Sequence, residues 1–158
     1  MRRAERTLSH RRKYDLGELK GRLIGFDYGS KRIGVAVSDP LGITAQPLPA
    51  IRREGDRKDV ETIASMARGY EAVGFVFGLP LHIDGNEGKM AEMVRRFAGK
   101  LEEATGLPAQ MWDERFTTAQ AERTLIDAGV RREKRKEVRD SMSAVFILQG
   151  VLDLRNRG

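Results

Sequence analysis

Cysteine is absent from the 158 residues, which excludes disulfides and any thiolate metal site. Histidine is nearly as scarce, at His10 and His82, so a zinc centre would lack its usual ligands. No apolar run approaches the ~20 residues that a membrane helix requires. The basic start is followed by no apolar stretch of the kind a secretory signal carries, and Glu5, Asp15 and Glu18 argue against an organelle transit peptide. Internal repeats are also missing. Met, Glu, Lys and Arg are plentiful instead, and the expectation is a soluble, cytoplasmic protein without a membrane partner. The length suits one domain with a sizeable core.

The net charge of +6 invites a polyanionic partner, but its distribution tempers that. Residues 1–22 hold eight Lys or Arg against three acids, a net of +5, which leaves +1 for the rest. With no sustained apolar period, residues 1–21 are expected to form a basic, flexible arm ahead of a globular domain at 22–158. Within that domain one dense basic run stands out, RREKRKEVR at 131–139. On charge alone this run is as well explained by a solvated helix entry as by a phosphate contact.

Alternation and turn residues give the order of elements. Leu23–Asp27 and Arg32–Ser38 read as strands around a turn in which Gly29 can take positive φ. Ile43–Arg53, with Pro47 and Pro49, reads as an edge strand. Val60, Ile63, Ala64 and Ala67 follow helical spacing up to Gly69. Ala72–Pro80 is a nearly continuous apolar run, as expected of a strand covered on both faces. A helix carries Met90, Val94, Phe97 and Leu101, and Ala109–Asp113 is a short strand. Thr117 and Gln120 open a helix to Ala128, and a last helix starts near Glu137. The order βββαβαβαα implies an α/β fold, a mixed five-stranded sheet with helices packed on it.

Most of the 23 acids need no function. Asp56, Glu61, Glu92, Glu102, Glu103 and Glu122 fall on polar helix faces or their approaches, Asp39 reads as a turn residue, and Asp84 as the brace of a Gly-containing loop. Three positions differ. Asp27 closes the first strand, where an Asx turn with Gly29 is the simpler local reading. Asp113 and Glu114 end the fifth strand, one of them pointing across the sheet. Asp140 shares a helix face with Ala144 and Ile147, or else pairs with Lys136. If the first strand is central, its end and that of the fifth can lie side by side, and a crossing helix can add a third acid. Clustered carboxylates repel one another, and a divalent cation relieves this. The donor set then favours a hard ion such as Mg²⁺.

Four stretches together resemble the YqgF/RuvX family: FDYGSKRIGVAVSD at 26–39, GLPLHIDGNEG at 78–88, DERFTTAQA at 113–121 and DSMSAVFILQ at 140–149. The chain departs from that pattern at His82 and at Ser143. The resemblance implies an RNase H-like fold and a nuclease that processes the 5′ end of pre-16S ribosomal RNA. By its implication Asp27, Glu114 and Asp140 are the catalytic residues and the ligands of a two-metal site, with Mg²⁺ or Mn²⁺ ions about 4 Å apart. Gly29, Ser30, Lys31 and Arg32 would meet a phosphate, Arg115 and Thr117 would orient Glu114 or touch another, and the loop from Gly78 to Gly88 would form a rim for the nucleic acid. Arg132, Lys134, Arg135 and Lys136 would help to hold the strand. The partner is then nucleic acid, pre-rRNA or branched DNA, with monomer and homodimer both open.

Rival readings share parts of this pattern. A Holliday junction resolvase-like DNA endonuclease has the same chemistry, and a non-catalytic RNA-binding or ribosome-assembly module the same fold. An actin-like ATPase or sugar kinase opens with a similar strand–turn–strand but needs two lobes. GNEGKM at 85–90 is no P-loop, because Ile83 and Met90 occupy the places of its first glycine and its Ser/Thr.

Overall fold

Alternation along the first strand sorts its side chains between two cores. Ile24, Phe26 and Tyr28 of β1 (Arg22–Tyr28) join one apolar cluster and Leu23 joins another. Asp27 falls on the Leu23 side, because successive side chains of a strand point to opposite faces. The computed structural model describes residues 20–114 and 132–157, the side chains within 132–141 and that of Arg157 excepted. The expected arm and the helix expected at 117–128 lie outside the described residues.

The chain continues through β2 (Arg32–Ser38), β3 (Ala45–Arg52), α1 (Asp56–Gly69), β4 (Ala72–Leu79), α2 (Lys89–Thr105), β5 (Ala109–Asp113) and α3 (Arg132–Arg157). The sheet order is β3-β2-β1-β4-β5, with β1 central. β2 runs antiparallel to β1 and β3, while β1, β4 and β5 are parallel. β3 is an edge strand, as its prolines require. Phe75, Phe77 and Leu79 of β4 face one core and Val76 the other, which explains its nearly unbroken apolar run.

α1 and α2 cover one face through Val60, Ile63, Val94, Phe97 and Leu101. α3 covers the other through Ala144, Ile147, Leu148, Val151 and Leu152. It reaches the sheet so closely because glycines lie beneath it. A Cβ on Gly25 would stand 2.7 Å from Leu148 Cβ and 3.3 Å from the Ala144 carbonyl oxygen. The far end of α3 is tied to the loop before β3. Gln149 accepts from the Ala45 N–H and donates to the Ile43 carbonyl, and Asn156 donates to the Gly42 carbonyl.

Four expectations need correction. α3 begins at Arg132 rather than near Glu137, so residues 132–139 of the basic run are inside the helix. Arg, Lys and Glu are good helix formers, and the apolar period used to place the start has no residue before Val138. Glu102 is not on a polar face but buried, accepting from the Ala109 N–H at 3.1 Å. Gly29 does not adopt positive φ. It is needed for space, because a Cβ there would lie 2.5 Å from the Arg32 carbonyl oxygen across the turn. The fourth concerns the first and fifth strands, which β4 separates. Asp39 and Asp84 do brace their turns, the first accepting from the Ile43 and Thr44 N–H groups and the second from that of Asn86.

The contact at Gly25 predicts that Gly25→Ala destabilises by about 1–3 kcal/mol, because neither Leu148 Cβ nor a helix carbonyl can swing away. Gly99→Ala on α2, with nothing within 4 Å, should instead gain about 0.5–1 kcal/mol of helix stability. Thermal melts of the two variants check both signs.

Candidate active site

β5 is only five residues long, and its end is fixed by β4. Gly78 pairs with Trp112 and Leu79 with Asp113. The ladder then runs one step further, because the Glu114 N–H donates to the Leu79 carbonyl at 3.3 Å. Alternation from Trp112, whose ring abuts Gly150 of α3, places Glu114 on the α3 side of the sheet. Asp113 faces the other way, so the acid that points across the sheet toward Asp27 is Glu114.

β4 stands between β1 and β5, and the reach is made possible by Gly78. A Cβ on that residue would overlap Glu114 Oε2 and lie 2.5 Å from Ile147 Cδ1. The carboxylate of Glu114 therefore lies in the space that a side chain at 78 would fill. Asp27 follows the Phe26–Phe77 pair in register, which puts it beside Gly78 on the same face. Gly78 is thus a buried strand residue under the site and not the start of a rim loop.

The two acids interact electrostatically. The Glu114 carboxyl is pushed up to about 7, first by burial and then by the negative charges of Asp27 and Asp113. A half-buried glutamic acid next to an aspartate is therefore poised to gain or lose its proton near neutral pH.

Asp140 lies on α3, one helical turn before Ala144, whose carbonyl rests over Gly25. Its side chain is outside the described residues. Among the described residues no group of three His, Asp or Glu is placed to hold a metal ion, and the described carboxylates meet as a pair. The donor set is nevertheless suited to a hard divalent ion: oxygen ligands only, with a proton held where a cation would relieve repulsion.

Ser30, Lys31 and Arg32 are exposed on the β1–β2 turn, at the same end of the sheet as Asp27 and Glu114. Arg115 and Thr117 lie outside the described residues. Arg132, Lys134, Arg135 and Lys136 lie in the first two turns of α3. The loop after β4 closes on itself through a Leu81–Glu87 bridge, with Ile83 exposed at its tip. Sequence reasoning missed Arg53. Its guanidinium donates to Asp59 Oδ2 and Asp56 Oδ1, each at 2.6 Å, and to the Gly29 carbonyl at 3.1 Å, and it stacks 4.5 Å above the Tyr28 ring. It anchors the turn that follows Asp27. The buried Asp59, on the α1 face lined by Val60 and Ile63, was the available signal, since such an acid requires a partner.

Comparison with known proteins is consistent with this geometry. The model of the RuvX family, described as a Holliday junction resolvase, matches residues 21–154. A Clostridium kluyveri protein is 45% identical over 132 residues, 84% of this chain and 96% of its own. A Syntrophus aciditrophicus protein is 49% identical over 132 residues, 84% of this chain and 88% of its own. Both bear the name "Putative pre-16S rRNA nuclease". Among solved structures, Thermus thermophilus RuvC in complex with a Holliday junction substrate superposes with a TM-score of 0.57 at 11% identity, covering 86% of this chain and 96% of that one. The shared architecture is the RNase H-like fold.

The raised Glu114 pKa predicts the sign of a pH effect. Between pH 4.5 and about 7 the folded protein keeps a proton there that the unfolded chain releases, so stability falls as pH rises through that window. Glu114→Gln removes the penalty. In buffer with a chelator its melting temperature should match the parent near pH 4 and exceed it by a few degrees at pH 8. Equal differences at both pH values would contradict the electrostatic picture.

Proposed function

This chain belongs to the RuvX family, and from that premise we propose that it is a metal-dependent nuclease that hydrolyses phosphodiester bonds, maturing the 5′ end of the 16S ribosomal RNA precursor. The observation that carries the reading is the meeting of Asp27 and Glu114 above Gly78. A fold gains no stability from holding two acids together where one must keep its proton, so the arrangement points to a cation as its intended occupant. The names borne by the relatives from Clostridium kluyveri and Syntrophus aciditrophicus support the RNA substrate.

Asp27 and Glu114 would hold Mg²⁺ or Mn²⁺ through their carboxylate oxygens, with Asp140, one turn from Ala144, as the third ligand. Divalent ions bound there would polarise the scissile phosphate and lower the pKa of a water nucleophile. Glu114 must release its proton to act as a ligand, so metal affinity rises with pH up to about 7. The central strand and the helix packed on Gly25 hold the carboxylates on rigid elements. Gly29, Ser30, Lys31 and Arg32 meet the strand at the β1–β2 turn, and Arg115, Thr117, Arg132, Lys134, Arg135 and Lys136 add further contacts to it in this reading.

Residues 22–158 form the nuclease domain in this reading, and the basic arm of 1–21 adds electrostatic affinity. Among the described residues no helix is long and apolar enough to cross a membrane. Acting on a ribosomal precursor, the protein would operate in the cytoplasm.

Asp27→Asn should lower kcat by at least two orders of magnitude on a labelled 5′-leader RNA with Mn²⁺ and weaken Mn²⁺ binding in calorimetry, without loss of thermal stability. In cells it should accumulate 5′-extended small-subunit RNA. Normal RNA ends in such cells, together with cleavage of four-way DNA junctions by the purified protein, would replace the RNA reading with the resolvase one. Gly78→Ala should act on the same site from beneath. By displacing Glu114 it should reduce kcat at least tenfold, while the RNA dissociation constant stays within about twofold.

A further inference from the structure

β2 begins at Arg32, and the residue facing it across the antiparallel ladder is Arg52 of β3. Like charges directly opposite each other on a sheet destabilise it. Both arginines are exposed, as is the adjoining Lys31. Among the described residues no carboxylate pairs with any of the three. The neighbouring Arg53 is in the opposite condition, held by Asp56, Asp59 and the Gly29 carbonyl. Its N–H also donates to the Lys31 carbonyl at 2.9 Å. A fixed floor thus carries three cations without counter-charge around an open cavity of about 520 Å³, lined also by Ser30 and Ala50.

The cavity's position is set by register. Ile33 and Ile51 pair and face the α1–α2 core, so Arg32 and Arg52 face the α3 side, as Asp27 does. Asp27 pairs with Gly34, and Arg32 lies two residues before Gly34, the diagonal neighbour of Asp27 at about 7 Å. β3 is two strands from β1, about 10 Å away. Glu114 approaches Asp27 from the opposite flank. Positive and negative groups therefore flank Asp27 on opposite sides at one end of the sheet, within a few nucleotides of each other along a strand.

We propose that Arg32 and Arg52, with Lys31, form a clamp for a backbone phosphate of the substrate strand, on the β3 side of the scissile bond, that sets where the strand is cut. The planar, forked guanidinium suits a phosphodiester, and the bound phosphate supplies the counter-charge that the facing arginines lack. This rests on the nuclease reading. Arg52 is 20 residues beyond Arg32 in the chain, so only the strand pairing brings it to the turn.

The test is fluorescence anisotropy on single-stranded RNA and DNA of one sequence, from 50 to 200 mM salt, with cut sites mapped in parallel. Losing one neutralised phosphate should flatten the slope of log K against log salt by about 0.7, the share of a single phosphate on a single strand. Over that fourfold range the parent should lose about 2.6-fold more affinity than the Arg32→Gln/Arg52→Gln variant, on RNA and DNA alike. The cuts of the variant should spread over several positions. The Arg32→Lys/Arg52→Lys variant should recover the slope, and Arg57→Gln on α1 should match the parent. Equal slopes for parent and double Gln variant while the parent cleaves would overturn the clamp and leave the nuclease reading standing. A parent that binds with the full slope but cuts nothing would overturn the nuclease reading and keep the clamp as a phosphate site. A loss confined to RNA would also overturn it, since ribose and not phosphate would then be gripped.

Discussion

The arrangement depends on an absent side chain. β1 and β5 are separated by a full strand, and their acids can approach only if nothing projects from β4 between them. Gly78 meets that condition, and the Glu114 carboxylate takes the vacated space against Ile147. Burial and the charge of Asp27 then hold the Glu114 proton up to neutral pH. Repulsion between these acids is a standing cost of the fold, and a bound cation would turn it into attraction.

The rest of the architecture keeps that contact in place. β1 is central and paired on both edges, the setting in which a strand has least freedom to shift register. α3 is drawn onto it by Gly25 on one side and secured by Gln149 and Asn156 at its far end. On the opposite face Arg53 joins the turn after Asp27 to α1 through Asp56 and Asp59. Asp27 is therefore fixed by packing from one face and by an ion-pair network from the other.

Much of this was legible in the chain itself. The apolar stretch Leu23–Asp27, the prolines of β3 and the unbroken apolar run of β4 marked these segments as strands, β3 as an edge and β4 as covered on both faces, because strand patterns report which faces are covered. Asp27 and the pair Asp113 and Glu114 were marked by standing at strand ends, while the choice of Glu114 from that pair came from the family resemblance. Long-range pairing was not legible. That β4 would separate β1 from β5, that Gly78 would give up its place to a carboxylate, and that Arg32 would face Arg52 are consequences of strand order, which no local window contains. The start of α3 was misplaced for a different reason, since a charged helix entry has no apolar period to read. The turn at Gly29 needed a glycine for clearance and not for its dihedral freedom, and both demands look the same in a sequence.

The central claim is that Glu114 and Asp27 share one electrostatic site across Gly78, and carbon-13 NMR of the labelled Glu114 carboxyl tests it most directly. Without metal the parent should titrate near pH 7. Asp27→Asn should lower the midpoint while leaving it above the ordinary glutamate range, because burial is the larger cause. Mg²⁺ should lower the midpoint in the parent and have much less effect in the variant. A midpoint that ignores both the mutation and the ion would mean that the two carboxylates do not form one site.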